Sequence, residues 1–234
     1  MKENAGVRAD FGRREFVRAV LGGAAVGITA RAAIELAAPE GLRAQTDLTP
    51  DAALKELLAG NQRFAADRLT SPKDDLGALR EKTAAKQEPF AAVLACADSR
   101  VPVELLFDRT IGHLFVTRVA GNIATPEIIA SLEYGVAVLG VKALLVLGHS
   151  NCGAVHAAMK AEAVPGQISS LFPYLQRAVQ QSGGNFDKAI ELNAEVQAEL
   201  LRTSSTVIRG AVEAGKLKVA AGVYNLATGK VALS

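Results

Sequence analysis

Two cysteines and a histidine are the residues of this sequence best suited to hold a metal ion. Cys96 and Cys152 are the only cysteines of the chain, and His149 precedes Cys152 by three residues. This spacing lets one turn of chain present both side chains to a single ion. Two thiolates and an imidazole suit zinc, and a set of three protein ligands leaves open the fourth position that a catalytic zinc requires.

The elements that must position these ligands are two buried strands. Residues 90–96 form an apolar run of strand length, and residues 142–147 form a similar run that ends just before His149. Ligands of open α/β sheets bind outside the carboxyl ends of the strands. Buried cysteines are usually inert, but both cysteines here fall at strand ends with a histidine or an acid close by. We therefore expect Cys96 and His149 to meet at one sheet edge.

An acidic and a basic residue lie close to the first cysteine in sequence. Asp98 and Arg100 follow Cys96 by two and four residues. The Asp98 carboxylate could ligate the metal or accept a hydrogen bond from a metal-bound water, while Arg100 could hold it off the metal in a forked ion pair. Taken alone, Asp98-Ser99-Arg100 could equally be a turn with a surface ion pair.

The remaining pattern alternates helices with strands. Apolar spacing and capping signals predict helices over residues 51–68, 125–139, 153–163 and, in one or two pieces, 193–214. Apolar runs predict further strands over residues 113–119, 218–224 and 230–233. The alternation predicts an α/β fold, in which helices flank a mostly parallel central sheet with an antiparallel edge strand. The first helix forms an N-terminal helical arm, whose apolar stripe could cross onto a partner subunit.

Composition supports this fold and excludes some functions. Half of the 234 residues are apolar, only 5% are aromatic and Trp is absent, so the core must be built from Ala, Val, Leu and Ile. The 26 basic and 24 acidic residues give a net charge of +2 without a basic cluster, which argues against a nucleic-acid partner. Two cysteines cannot form a disulfide framework.

The first 45 residues are expected to lie outside the domain, which spans residues 46–234. Arg13-Arg14 is followed by a short apolar stretch over residues 19–30, as in twin-arginine export signals. This stretch is shorter than the ~20 apolar residues that span a bilayer. We expect a periplasmic protein without a membrane span in its mature form. The alternative is a disordered or packing arm on a cytoplasmic protein.

Two motifs carry a resemblance to a known family. Segments 95–100 and 148–153 contain C-x-D-S-R and H-x-x-C, the paired signature of the β-class carbonic anhydrases. Segments 115–122 and 131–135 also resemble connecting segments of that family. From about residue 51 to the C-terminus, the sequence is therefore similar to a β-carbonic anhydrase.

The resemblance implies reversible hydration of carbon dioxide to bicarbonate and a proton, with Zn²⁺ on the three ligands named above. It implies that Asp98 and Arg100 are the neighbouring catalytic pair. Gln87 would donate a hydrogen bond to substrate, and Tyr134 would be an active-site aromatic residue. It also implies a homodimer or a homotetramer.

Two other functions stay open at this point. A carbon disulfide or carbonyl sulfide hydrolase could use the same scaffold and the same zinc chemistry. A non-catalytic zinc or thiol-redox protein could bridge its two cysteines, although such a protein has no use for Gln87, Asp98 and Arg100. The two other histidines, His113 and His156, are not expected to bind metal.

Overall fold

A five-stranded sheet lies at the centre of residues 46–234, the part of the chain that the computed structural model describes. Its strands are β1 (Ala91–Ala95), β2 (Leu114–Arg118), β3 (Ala143–His149), β4 (Lys218–Tyr224) and β5 (Val231–Leu233). Their order across the sheet is β2-β1-β3-β4-β5. All neighbouring pairs are parallel except β4 and β5, which are antiparallel. This confirms the predicted mostly parallel sheet with an antiparallel edge strand.

The central strands β1 and β3 are buried along their whole length. They are built almost entirely of Ala, Val and Leu, because a parallel strand covered on both faces has no exposed positions. Successive side chains point to opposite faces of the sheet. Val93 and Leu145 thus belong to the core on one face, and Leu94 and Val146 to the core on the other.

Helices cover both faces of this sheet. They are α1 (Pro50–Ala65), α2 (Leu76–Thr83), α3 (Val103–Leu106), α4 (Pro126–Ala137), α5 (Gly153–Lys160), α6 (Phe172–Gln181), α7 (Phe186–Ser204) and α8 (Thr206–Glu213). Helices α1 and α3 pack on one face, and α4, α7 and α8 pack on the other. Residues of α5, α6 and the start of α7 form a third core cluster together with Cys96 and Cys152.

Helix α1 packs on the sheet of its own chain. Thr49 caps the helix, with its Oγ1 accepting a hydrogen bond from the Ala52 N–H at 3.2 Å. Ala53, Leu54 and Leu57 are buried in the core that also contains β1 and β3. The expectation that this apolar stripe crosses onto a partner is therefore wrong, because the chain's own core already covers it.

Side-chain caps explain where the last helices differ from their predicted bounds. Helix α7 begins at Phe186, well before the predicted start, because the Asn185 side chain caps it. Ser205 ends this helix and caps α8, where its Oγ accepts a hydrogen bond from the Ile208 N–H at 3.0 Å. The predicted helix over 193–214 is thus two helices. Helices α3 and α6 were not predicted from the sequence.

None of the helices within residues 46–234 is long and apolar enough to cross a membrane. The predicted export signal, residues 1–45, lies outside the described residues.

Candidate metal centre

The carboxyl ends of β1 and β3 bring the predicted ligands to one edge of the sheet. The two strands are parallel neighbours in a register that pairs Ala95 with Leu147. Cys96 directly follows β1, and His149 is the last residue of β3. Cys152 precedes α5 as its N-cap residue. The topology therefore joins residues that are far apart in sequence, as expected.

The ligand atoms of Cys96, His149 and Cys152 all lie within 4.8 Å of one another. These side chains are buried, with exposures of 4%, 0% and 1% respectively. Among residues 46–234, this is the one cluster of His, Cys, Asp or Glu side chains with such geometry. Three soft or borderline donors in one buried place form a site for a cation.

The orientation of His149 leaves one ring nitrogen for a metal. Its Nδ1 lies 2.9 Å from the Ser150 carbonyl oxygen, so Nδ1 carries the hydrogen and donates it. Its Nε2 is buried without a hydrogen-bond partner in the structure. A metal-ligating histidine commonly donates its other N–H to a carbonyl in this way.

The Cys96 and Cys152 thiols shift each other's pKa in opposite directions. The hydrogen bond from Cys152 lowers the pKa of the Cys96 thiol well below its ordinary value. The same hydrogen bond, together with burial, raises the pKa of Cys152. Metal binding requires deprotonated thiolates, so a cation bound by both sulfurs would displace protons from this pair.

Two residues that the sequence analysis gave no role in the chemistry support Cys96 and Asp98. The Gly121 N–H donates a hydrogen bond to Cys96 Sγ at 3.3 Å, from a turn whose φ of 78° favours glycine. Arg118, at the end of β2, donates to the carbonyl oxygens of Cys96 at 2.9 Å and Asp98 at 2.5 Å. The sequence signal for both was their place in the segment 115–122.

Asp98 and Arg100 form a forked ion pair, which is the arrangement that the sequence offered as an alternative to metal ligation by Asp98. Arg100 Nε donates to Asp98 Oδ1 at 2.9 Å, and Arg100 Nη2 donates to Oδ2 at 2.8 Å. These hydrogen bonds hold the pKa of Asp98 well below its usual range. Asp98 Oδ2 lies 3.9 Å from His149 Nε2 and is not part of the three-residue cluster. The three protein ligands therefore leave a fourth coordination position open.

Gln87 lies at the opposite end of the sheet from this cluster. It is half-buried and precedes β1, whereas Cys96 follows β1. Its neighbours Lys86 and Glu88 line a cavity with residues 111–113, which precede β2. Within one chain, the structure does not bring Gln87 to the predicted ligands.

Tyr134 is exposed on α4. Its ring centroid lies 6.3 Å from that of Phe115, a residue of the edge strand β2. No hydrogen bond joins Tyr134 to the cluster among the described residues. The role of Tyr134 therefore stays a prediction, as does that of Gln87.

The other histidines lie outside the cluster. His113 precedes β2, where burial lowers its pKa. His156 is exposed on α5, with its ring 5.3 Å from that of Phe186. The expectation that neither binds this metal is consistent with their positions.

Zinc fits this site on the chemistry of its donors. Two sulfurs and one imidazole nitrogen are ligands that zinc commonly takes, and three of them suit a catalytic zinc. The buried, unpartnered Nε2 of His149 is satisfied if it binds a cation.

Comparisons with known proteins agree with this site. A family model described as carbonic anhydrase matches residues 91–231. Carbonic anhydrase 2 of Mycobacterium tuberculosis is 33% identical over 192 residues, which cover 79% of this chain and 92% of that protein. A carbonic anhydrase of Pseudomonas aeruginosa is 36% identical over 195 residues, covering 76% and 86%. The solved structure of the Coccomyxa β-carbonic anhydrase with acetazolamide superposes with a TM-score of 0.61 at 30% identity, covering 77% and 85% of the two chains.

Proposed function

The chain belongs to the carbonic anhydrase family, in its β class, and we propose how its residues carry out the reversible hydration of carbon dioxide to bicarbonate and a proton. The observation that carries the assignment is the buried Cys96–His149–Cys152 cluster with an unpartnered His149 Nε2. Stopped-flow hydration of carbon dioxide, before and after metal removal, tests it. Loss of activity on removal and recovery with zinc is the expected result.

Zinc is the cofactor, held by the cluster's two sulfurs and by Nε2 of His149. When bound, it supplies a Lewis acid that lowers the pKa of a coordinated water from ~16 to about 7. The protein holds three ligands in a buried site and keeps the Asp98 carboxylate away from the metal. Arg100 does the latter, since it occupies both oxygens of Asp98.

Asp98 orients the attacking water in this proposal. Its carboxylate stays ionised because of Arg100, so it can only accept a hydrogen bond. Asp98 Oδ2 lies 3.9 Å from His149 Nε2, which places an acceptor beside the position that the cation would take. A water that donates one hydrogen to Asp98 directs a lone pair at carbon dioxide. Arg118 supports this arrangement by fixing the Asp98 backbone.

A second copy of the chain completes the substrate side of the site in our proposal. Gln87 lies at the opposite end of its own sheet from the metal ligands. If it contacts substrate, another protomer must therefore supply it. Exposed apolar side chains near the edge strand β2, those of Leu105, Ile111 and Tyr134, offer a surface for this contact. The proposed assembly is therefore a homodimer, or a homotetramer built from such dimers.

Export through a twin-arginine route is the proposed fate of the protein. It is supported by Arg13-Arg14 and by the short apolar stretch that follows. This route carries folded proteins, so both thiolates can bind zinc before they reach an oxidising compartment. The proposed location is the periplasm.

A further inference from the structure

Two buried amides on α7 form a hydrogen-bond network next to the zinc centre. Asn193 and Gln197 lie one helical turn apart, and each is 1% exposed. Gln197 Nε2 donates to Asn193 Oδ1 at 3.1 Å and to the Tyr174 carbonyl at 2.9 Å. Burying an amide is unfavourable unless it is hydrogen-bonded. Both amides meet this condition here.

The network holds the turn that follows β2. Asn193 Nδ2 donates to the Gly121 carbonyl oxygen at 2.8 Å, and Gln197 Oε1 accepts from the Ala124 N–H at 2.9 Å. Between these anchor points the backbone has φ values of 78° at Gly121 and 45° at Asn122. A left-handed conformation is uncommon for a residue other than glycine, so that of Asn122 depends on surrounding contacts. The α7 amides supply such contacts on both sides of the turn.

The same turn also contacts a zinc ligand. Gly121 accepts from Asn193 at its carbonyl and donates from its N–H to Cys96 Sγ at 3.3 Å. A hydrogen bond to a thiolate reduces the electron density that the sulfur donates to a metal, and outer partners of this kind tune metal sites. A shift of the turn would weaken this hydrogen bond without touching the ligand itself.

We propose that Asn193 and Gln197 are positioning residues for the zinc centre, which fix the Gly121 turn so that its N–H donates to Cys96 Sγ. The proposal rests on the zinc site described above. It makes the donor strength of the Cys96 thiolate depend on a helix that supplies no ligand.

Cobalt-substituted full-length protein tests the proposal without an activity assay. Asn193→Leu keeps the number and branching of the non-hydrogen side-chain atoms and removes the amide. We expect its sulfur-to-cobalt charge-transfer band to move to lower energy, because the thiolate loses a hydrogen bond. We also expect zinc to pass to a chelator about tenfold faster, because Cys96 is less firmly oriented; this is the low end of the range for outer-shell partners. Leu201→Ala is the matched control, because Leu201 is a buried residue of the same helix in the core against the sheet. It should lower thermal stability and leave the band unchanged.

Gln197→Met provides a second variant and should move the band in the same direction. If Asn193→Leu does not fold, the charge-transfer band of Gln197→Met tests the proposal. An unmoved band in folded variants, or a band moved equally by Leu201→Ala, would overturn the proposal, as would the failure of both amide variants to fold. Absence of a thiolate band in the wild-type cobalt protein would instead refute the zinc site itself.

Discussion

The pair of Asp98 and Arg100 shows how a single side chain can be kept out of a metal's ligand set. A free carboxylate beside zinc is a competent ligand. Here both of its oxygens accept from the guanidinium, and Arg118 fixes the backbone behind it. The charge therefore stays near the site, while the coordination position remains available to water.

Replacing this carboxylate should separate catalysis from metal binding. We expect Asp98→Asn to retain its zinc and to lose activity by about 10²- to 10⁴-fold, the range for loss of a group that handles a proton in the transition state. Elemental analysis and stopped-flow hydration measure the two effects. Glu162→Gln, at an exposed acid that follows α5, is the control and should behave as wild type. Loss of zinc from Asp98→Asn on dialysis would make Asp98 a ligand instead.

The ligands could be predicted from sequence, whereas their supports could not. Cys96, His149 and Cys152 were found because their types and spacing carry the chemistry. Gly121 acts through its backbone N–H, and Arg118 acts on carbonyl oxygens. Such contacts depend on the fold rather than on residue type, so the segment 115–122 singled out both residues without predicting what they contact.

At the scale of elements, buried polar groups join segments that strand pairing leaves apart. Asp108, just after α3, accepts hydrogen bonds from Arg63 at 2.5 Å and from the N–H groups of Thr70 and Ser71 at 2.8 Å. It thereby ties the end of α1 and the loop that follows to the rest of the domain. Burial raises the pKa of Asp108, but these hydrogen bonds outweigh burial and hold it below its usual range.

This carboxylate should contribute stability that acid removes. Because the folded-state pKa of Asp108 is depressed, its contribution is complete above the unfolded value of ~3.9 and is lost as pH falls through the folded value. We expect Asp108→Asn to lower the free energy of unfolding by about 2 kcal/mol at pH 7, and the difference to shrink below about pH 4. Urea unfolding at both pH values measures it, with the exposed Asp74→Asn as control. A difference that persists unchanged in acid would contradict the account.

The strands were easier to predict than the helices, for a physical reason. β1 and β3 are continuous apolar runs because both faces are covered. α7 is less regular, since Asn193 and Gln197 interrupt its buried face, and its true start depends on the cap at Asn185. The short α3 has too few residues to show a period. These features are set by tertiary contacts, which a local pattern does not record.

At the scale of the whole molecule, the separation of Gln87 from Cys96 makes a shared active site testable. Gln87→Leu and Cys152→Ser should each be inactive as pure proteins. In a mixed dimer, the zinc-loaded site of the Gln87→Leu chain would receive an intact Gln87 from its partner. We expect remixing to restore about a quarter of wild-type activity at random exchange of protomers. No recovery in mixed dimers, verified by mass spectrometry, would place Gln87 outside the site or within its own chain's site.

We expect the N-terminal segment to determine the location of the enzyme. Replacing Arg13-Arg14 by Lys-Lys should trap an uncut, active precursor in the cytoplasm, because the twin-arginine pair is the expected recognition element. Fractionation with N-terminal sequencing measures this. Met1 intact on soluble cytoplasmic enzyme in the unaltered strain would contradict export.

If Cys96, His149 and Cys152 bind one catalytic zinc, X-ray absorption at the zinc edge will detect these ligands. On active enzyme, the account predicts about one zinc per chain with two sulfur ligands near 2.3 Å and one imidazole nitrogen. Cys152→Ser should abolish this signal and the hydration activity together. Active protein that contains no zinc and has Cys96 bonded to Cys152 in a disulfide would contradict the account.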